Sequence, residues 1–88
     1  MMTNKVLIKL IVPELDIHFD IFIPVNELIW KIKKLIVKSV SDLTDVPLNL
    51  KVEYILLNKD TCRIYLNNEV VINTDIRNGS ELILVSKK

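Results

Sequence analysis

The chain has 88 residues and a net charge of +1, and 36 of its residues are isoleucine, leucine or valine. This is enough apolar material for one core without staples, and the length leaves no room for a second domain. A single glycine and no alanine exclude a doubly wound nucleotide fold and a glycine-rich phosphate cradle, and 12 basic against 11 acidic residues lack the basic excess of a nucleic-acid binder.

Lys5 to Val12 alternates, with Val6, Ile8, Leu10 and Val12 on one side and Lys5, Leu7, Lys9 and Ile11 on the other. That period predicts a strand with one fully apolar face. Pro13-Glu14-Leu15-Asp16 is a polar break. Ile17 to Ile23 alternates again, with Ile17, Phe19, Ile21 and Ile23 toward the core. The two runs read as an antiparallel hairpin over 5–23.

Pro24 ends the second strand, and Asn26 is suited to cap a helix with Glu27 in its first turn. The period turns helical over 26–43. Leu28, Ile29, Ile32, Leu35, Ile36, Val40 and Leu43 form one stripe, and Lys31, Lys34 and Lys38 lie opposite as a solvated face. Thr44-Asp45-Val46-Pro47 should close the helix.

Strand signals return over 52–85. Val52 to Leu57 is β-branched and aromatic, Asn58-Lys59-Asp60-Thr61 is a turn, and Cys62 to Leu66 reads as a short fourth strand. Val70 to Thr74 fits a strand or an irregular connection. Asn78-Gly79 is the sharpest turn signal, Leu82 to Val85 is the last strand, and 86–88 is a polar tail. One domain, 1–88, is expected.

The helix should lie across the sheet, and the last strand can pair in parallel beside the first. This predicts an α+β, ubiquitin-like β-grasp fold, a mixed sheet of four to five strands with one helix packed across one face. In Leu56-Leu57-Asn58-Lys59-Asp60 and Asp75-Ile76-Arg77-Asn78-Gly79-Ser80-Glu81-Leu82-Ile83-Leu84, the chain is similar to the YukD/EsaB-type ubiquitin-like proteins, accessory proteins of type VII secretion in Firmicutes. The richness in Lys, Asn and Ile, with no Ala, fits an AT-rich Firmicute genome. Conjugated ubiquitin-like modifiers end in Gly-Gly, whereas this chain reads Val85-Ser86-Lys87-Lys88. The resemblance therefore implies a non-catalytic protein that docks and is not conjugated.

Catalytic chemistry is sparse. Cys62 and His18 are the sole members of their types, so the usual thiolate, zinc and nucleophilic constellations lack partners. No cofactor, metal, nucleic acid or small-molecule substrate is implied. Cys62 is expected to be packed. No run reaches the roughly 18 apolar residues that span a bilayer. Lys9 interrupts the N-terminal apolar stretch, which reads as a strand and not a signal peptide. A cytoplasmic location, peripheral to the inner face of the membrane through a partner, is expected.

Two surfaces are candidates for partner binding. Trp30 and Val37 share a helix flank off the core stripe, where an exposed Trp can anchor a partner. The sheet face away from the helix should present Leu7, Ile11, Phe22, Ile55, Ile83 and Val85. Leu7, Ile55, Ile83 and Val85 match by strand order the face that ubiquitin uses. The expected partner is a protein, a secretion-system membrane component or ATPase. The alternative is a generic β-grasp interaction adaptor, with a possible homo-oligomer formed along the sheet face or the open edge of the second strand.

Overall fold

The computed structural model describes residues 4–45 and 52–87. β1 (Lys5–Val12) and β2 (Ile17–Pro24) form the hairpin, α1 (Ile29–Thr44) follows, and β3 (Tyr54–Asn58) and β4 (Glu81–Ser86) complete a four-stranded sheet in the order β2-β1-β4-β3. β1 pairs with β2 antiparallel and with β4 parallel, and β3 pairs with β4 antiparallel.

The hairpin turns through a 3-10 turn at Pro13–Leu15, and Asp16 closes it in the left-handed region at φ 52°. A short polar side chain tolerates that conformation better than a β-branched one. Glu14 fastens the turn to the far end of the sheet, since its Oε1 accepts from Ser86 N–H at 2.6 Å. Ser86 therefore belongs to β4 and not to a tail. Lys87 also continues the pairing, donating its N–H to Glu53 O at 2.8 Å.

The helix starts later than Asn26. Leu28 is its N-cap and supplies no side-chain bond. The first orphan donors are met by backbone carbonyls instead: Ile29 N–H reaches Glu69 O at 2.8 Å and Trp30 N–H reaches Asn67 O at 3.3 Å. The helix start is thus stitched to a loop far along the chain. Asp45, left-handed at φ 56°, ends the helix. The stop expected at Pro47 lies outside the described residues.

Ile29, Ile32, Ile36, Val37 and Val40 are the buried helix residues. They cover Ile8, Leu10, Val12, Ile23, Leu56, Leu82 and Leu84 from the sheet, with Tyr65, Val71 and Ile76 closing the rim. The stripe is rotated from the expected one. Leu35 and Leu43 are exposed, and Val37 is buried at 3% exposure. Val52, just before β3, and Tyr54, its first residue, line the same groove as Val37.

The expected fourth strand at Cys62–Leu66 contracts to one bridge, Leu57↔Ile64. Cys62 turns the chain at φ 60° and is exposed, not packed. Beyond the bridge the chain leaves the sheet, because Glu69 Oε1 captures Leu66 N–H at 2.7 Å. The ambiguous Val70–Thr74 stretch holds a 3-10 turn at Val71–Asn73. A polar chain fixes this irregular half. Asn58 Oδ1 accepts from the N–H groups of Asp60 and Thr61 at 2.8 and 3.1 Å. Asn58 Nδ2 donates to Tyr65 Oη at 3.2 Å, and Tyr65 Oη donates to Asp75 Oδ1 at 2.5 Å. Arg63 lies over the Tyr65 ring at 5.4 Å and bonds Glu69 at 2.7 Å.

Candidate functional site

Alternation within the strands sends Leu7, Ile11, Phe22, Ile55, Ile83 and Val85 to the face away from the helix, as expected. The pairing register orders them. Ile11 sits beside Ile83, Ile83 beside Leu57, and Leu57 beside Ile64. Val85 sits beside Ile55 in the next row. Six aliphatic side chains therefore form one cluster across β1, β4, β3 and the bridging segment. Ile64 is 54% exposed, and Ile11, Ile55, Leu57, Ile83 and Val85 are half-buried.

Leu7 and Phe22 form a separate pair. Between them and the cluster runs a charged row, Asp20 beside Lys9 beside Glu81, with the Lys59 ammonium 3.6 Å from Glu81. The outer face is thus one apolar field and one detached Leu7–Phe22 pair, 61% exposed at Phe22. Leu57 and Ile64 belong to the field and were not singled out from sequence. The alternation of β3 carries the signal for Leu57, whereas Ile64 depends on a single bridge across the Asn58–Thr61 turn.

Trp30 projects from the first turn of α1 and is 39% exposed. The ammonium groups of Lys31 and Lys34 stand 5.5 and 5.2 Å from its ring centroid, within cation–π range. Trp30, Lys33, Val37, Val52 and Tyr54 line a shallow groove of about 190 Å³. Val37 is its buried base and not an exposed neighbour of Trp30. Lys33 Nζ donates to Tyr54 O at 2.8 Å. Burial lowers the pKa of Lys33, with Glu53 opposing that shift and Lys87 adding to it.

A second groove, of about 360 Å³, joins the two surfaces. Ile55, Ile64 and Leu66 line it from the outer face, while Lys33, Tyr54 and Asn67 line it from the helix side and also border the Trp30 groove. The apolar field, Leu66 and Trp30 therefore follow one another around the β3 edge. This arrangement suits recognition of an extended or helical segment with apolar side chains. Among the described residues no three His, Cys, Asp or Glu side chains cluster as metal ligands. Among them, no helix is long and apolar enough to cross a membrane.

No family model and no curated protein matches the chain. Solved structures do. The chain is similar to the N-terminal ubiquitin-like domain of the 4931431F19Rik protein, with a TM-score of 0.74 and 17% identity over 99% of this chain and 79% of that one. It is similar to the EccD5 ubiquitin-like domain from Mycobacterium xenopi, with a TM-score of 0.70 and 14% identity over 98% of each chain. It also matches a chain of the MycP5-free ESX-5 inner membrane complex, with a TM-score of 0.69 and 13% identity. That match covers 97% of this chain and spans only 21% of the other. The likeness is one of fold: an α+β ubiquitin-like β-grasp with a four-stranded mixed sheet and one helix.

Proposed function

We propose that the chain is a non-catalytic docking component of a bacterial type VII secretion system, of the YukD/EsaB type. It acts by protein–protein contact, without conjugation. The partner is a membrane component or ATPase of the machine, which brings the chain to the inner face of the membrane. The observation that carries this reading is the apolar field of Ile11, Ile83, Leu57, Ile64, Val85 and Ile55, continuous with the Trp30 groove. A contiguous exposed apolar patch of this kind marks an interaction surface. The fold likeness to the EccD5 ubiquitin-like domain supports the choice of machine.

Photo-crosslinking in the native host tests it, with the probe at Ile83 or Trp30 of a tagged full-length chain. Recovery of a secretion-system membrane protein or ATPase is the expected result. Recovery of the chain alone from both positions would overturn the reading, as would normal secretion of small helical substrates after deletion of the gene.

A further inference from the structure

We infer that β2 is the contact for a second copy of this chain, joined antiparallel with His18 of each copy opposite Asp20 of the other. Val25 N–H donates to Asn4 O at 2.8 Å, so Asn4 and Val25 are a hydrogen-bonded pair of the β1–β2 ladder. Counting on by twos, Val6–Ile23, Ile8–Ile21, Leu10–Phe19 and Val12–Ile17 are the bonded pairs. On the other side of β1, Lys9 N–H bonds Ser80 O at 2.9 Å, which agrees with that phase. The backbone groups of His18, Asp20 and Phe22 therefore point away from β1 at the sheet edge. Among the described residues no hydrogen-bond partner meets them.

The two edges of the sheet differ. The β3 edge is occupied, since Asn58 N–H reaches Arg63 O at 2.9 Å and Tyr65 N–H reaches Leu56 O at 3.0 Å. Among the described residues the β2 edge is open over the whole strand, and its sequence IHFDIFIP lacks the lysines that blunt an exposed edge. Pro24 protects only the end. On the helix side, Ile17, Phe19 and Ile21 remain half-buried, whereas Ile8 and Leu10 of β1 are fully covered. An added strand would complete the cover.

Charge selects the register and the occupant. Only pairings that place the outward groups of even-numbered residues opposite one another satisfy them. Asp20 opposite Asp20 brings like charges together, and Asp20 opposite Phe22 gives it no polar partner across the new seam. His18 opposite Asp20 gives two complementary pairs related by a two-fold axis. In that register Phe19 meets Phe19 of the second copy on the axis, and Ile17 meets Ile21. The strand is thus its own complement. The sheets merge, and both apolar fields face the same side.

Sedimentation equilibrium of the full chain from about 1 μM to about 1 mM tests this. A monomer–dimer equilibrium is expected. His18→Asp sets four carboxylates against one another and should weaken association about tenfold. Adding Asp20→Lys to His18→Asp sets a carboxylate opposite an ammonium and should restore the dimer. Circular dichroism should be unchanged in both variants, because both side chains are exposed. A monomer at every concentration would overturn the proposal. So would a dimer indifferent to His18→Asp, or one not rescued by the double variant. None of these outcomes depends on secretion, so the result stands apart from the docking test.

Discussion

Tyr65 donates its hydroxyl to Asp75 at 2.5 Å while accepting from Asn58 at 3.2 Å, so one buried oxygen joins the end of β3 to the approach to β4. Tyr65→Phe keeps the ring and leaves both partners short of a bond. The expected loss is about 1–3 kcal/mol in chemical denaturation.

Tyr65 also gives stability a pH limit. Burial, then the bond to Asp75, pushes its pKa from 10.0 up to about 12. The folded state therefore holds the proton more tightly than the unfolded state. This contribution is complete below about pH 10 and is lost as pH rises toward 12. In a Tyr54→Phe background, tyrosinate absorbance should appear together with unfolding in that window. Free titration near pH 10 with the fold intact would contradict the network.

Asn78 and Gly79 fasten the start of β1. Leu7 N–H donates to Asn78 Oδ1 at 2.8 Å, and Gly79 N–H donates to Leu7 O at 2.8 Å. Gly79 has φ 87°, and a Cβ there would meet nothing within 4 Å. Gly79→Ala should therefore cost only its backbone strain, about 1 kcal/mol. Asn78→Ala should cost about 1 kcal/mol and speed hydrogen exchange at Leu7 in particular. An unchanged Leu7 exchange rate would contradict the side-chain bond.

This pair also shows what was legible from sequence. Asn78-Gly79 reads as a turn, and it is one, but its bonds to β1 join residues far apart in the chain. Local pattern found β1 and β2 because successive residues alternate between two faces over a full strand, and β4 because the apolar run Leu82 to Val85 follows the Asn78-Gly79 turn. It found the helix but started it too early, and it set Leu35 and Leu43 on the core stripe and Val37 off it, where the structure exposes the first two and buries the third. Nothing in helical periodicity says that Val52 and Tyr54 arrive beside Val37. Cys62 to Leu66 has strand composition, yet the left-handed Cys62 and the Glu69 carboxylate end its pairing after one bridge. The outer-face candidates were legible through the same alternation. Their division by the Asp20–Lys9–Glu81 row required the register.

Ile83→Lys tests that face. Ile83 is half-buried between Ile11 and Leu57, so its aliphatic stem can lie along the field while the ammonium reaches water. The expected cost is about 1 kcal/mol. Leu84→Ala, one residue on and 1% exposed, should cost about 2–5 kcal/mol. Equal losses from the two changes would contradict the assignment of faces.

Trp30 and Ile55 lie on different elements, but the groove through Tyr54, Leu66 and Asn67 connects their surroundings. A single partner segment can therefore touch both. Trp30→Ala uncovers part of Val37 and should cost about 1–2 kcal/mol, leaving the chain folded. Ile55→Lys should cost less, since the site is partly solvated. If the surface is continuous, each change should reduce crosslinking of the same partner from a probe placed at the other residue. Loss of one partner with Trp30→Ala and a different one with Ile55→Lys would mean two independent docking sites. The discriminating measurement is the crosslinked partner profile of the two variants side by side. The native Trp30 emission provides a direct check, because occupancy of the groove should shift it to shorter wavelength in the wild-type chain and not in Ile55→Lys.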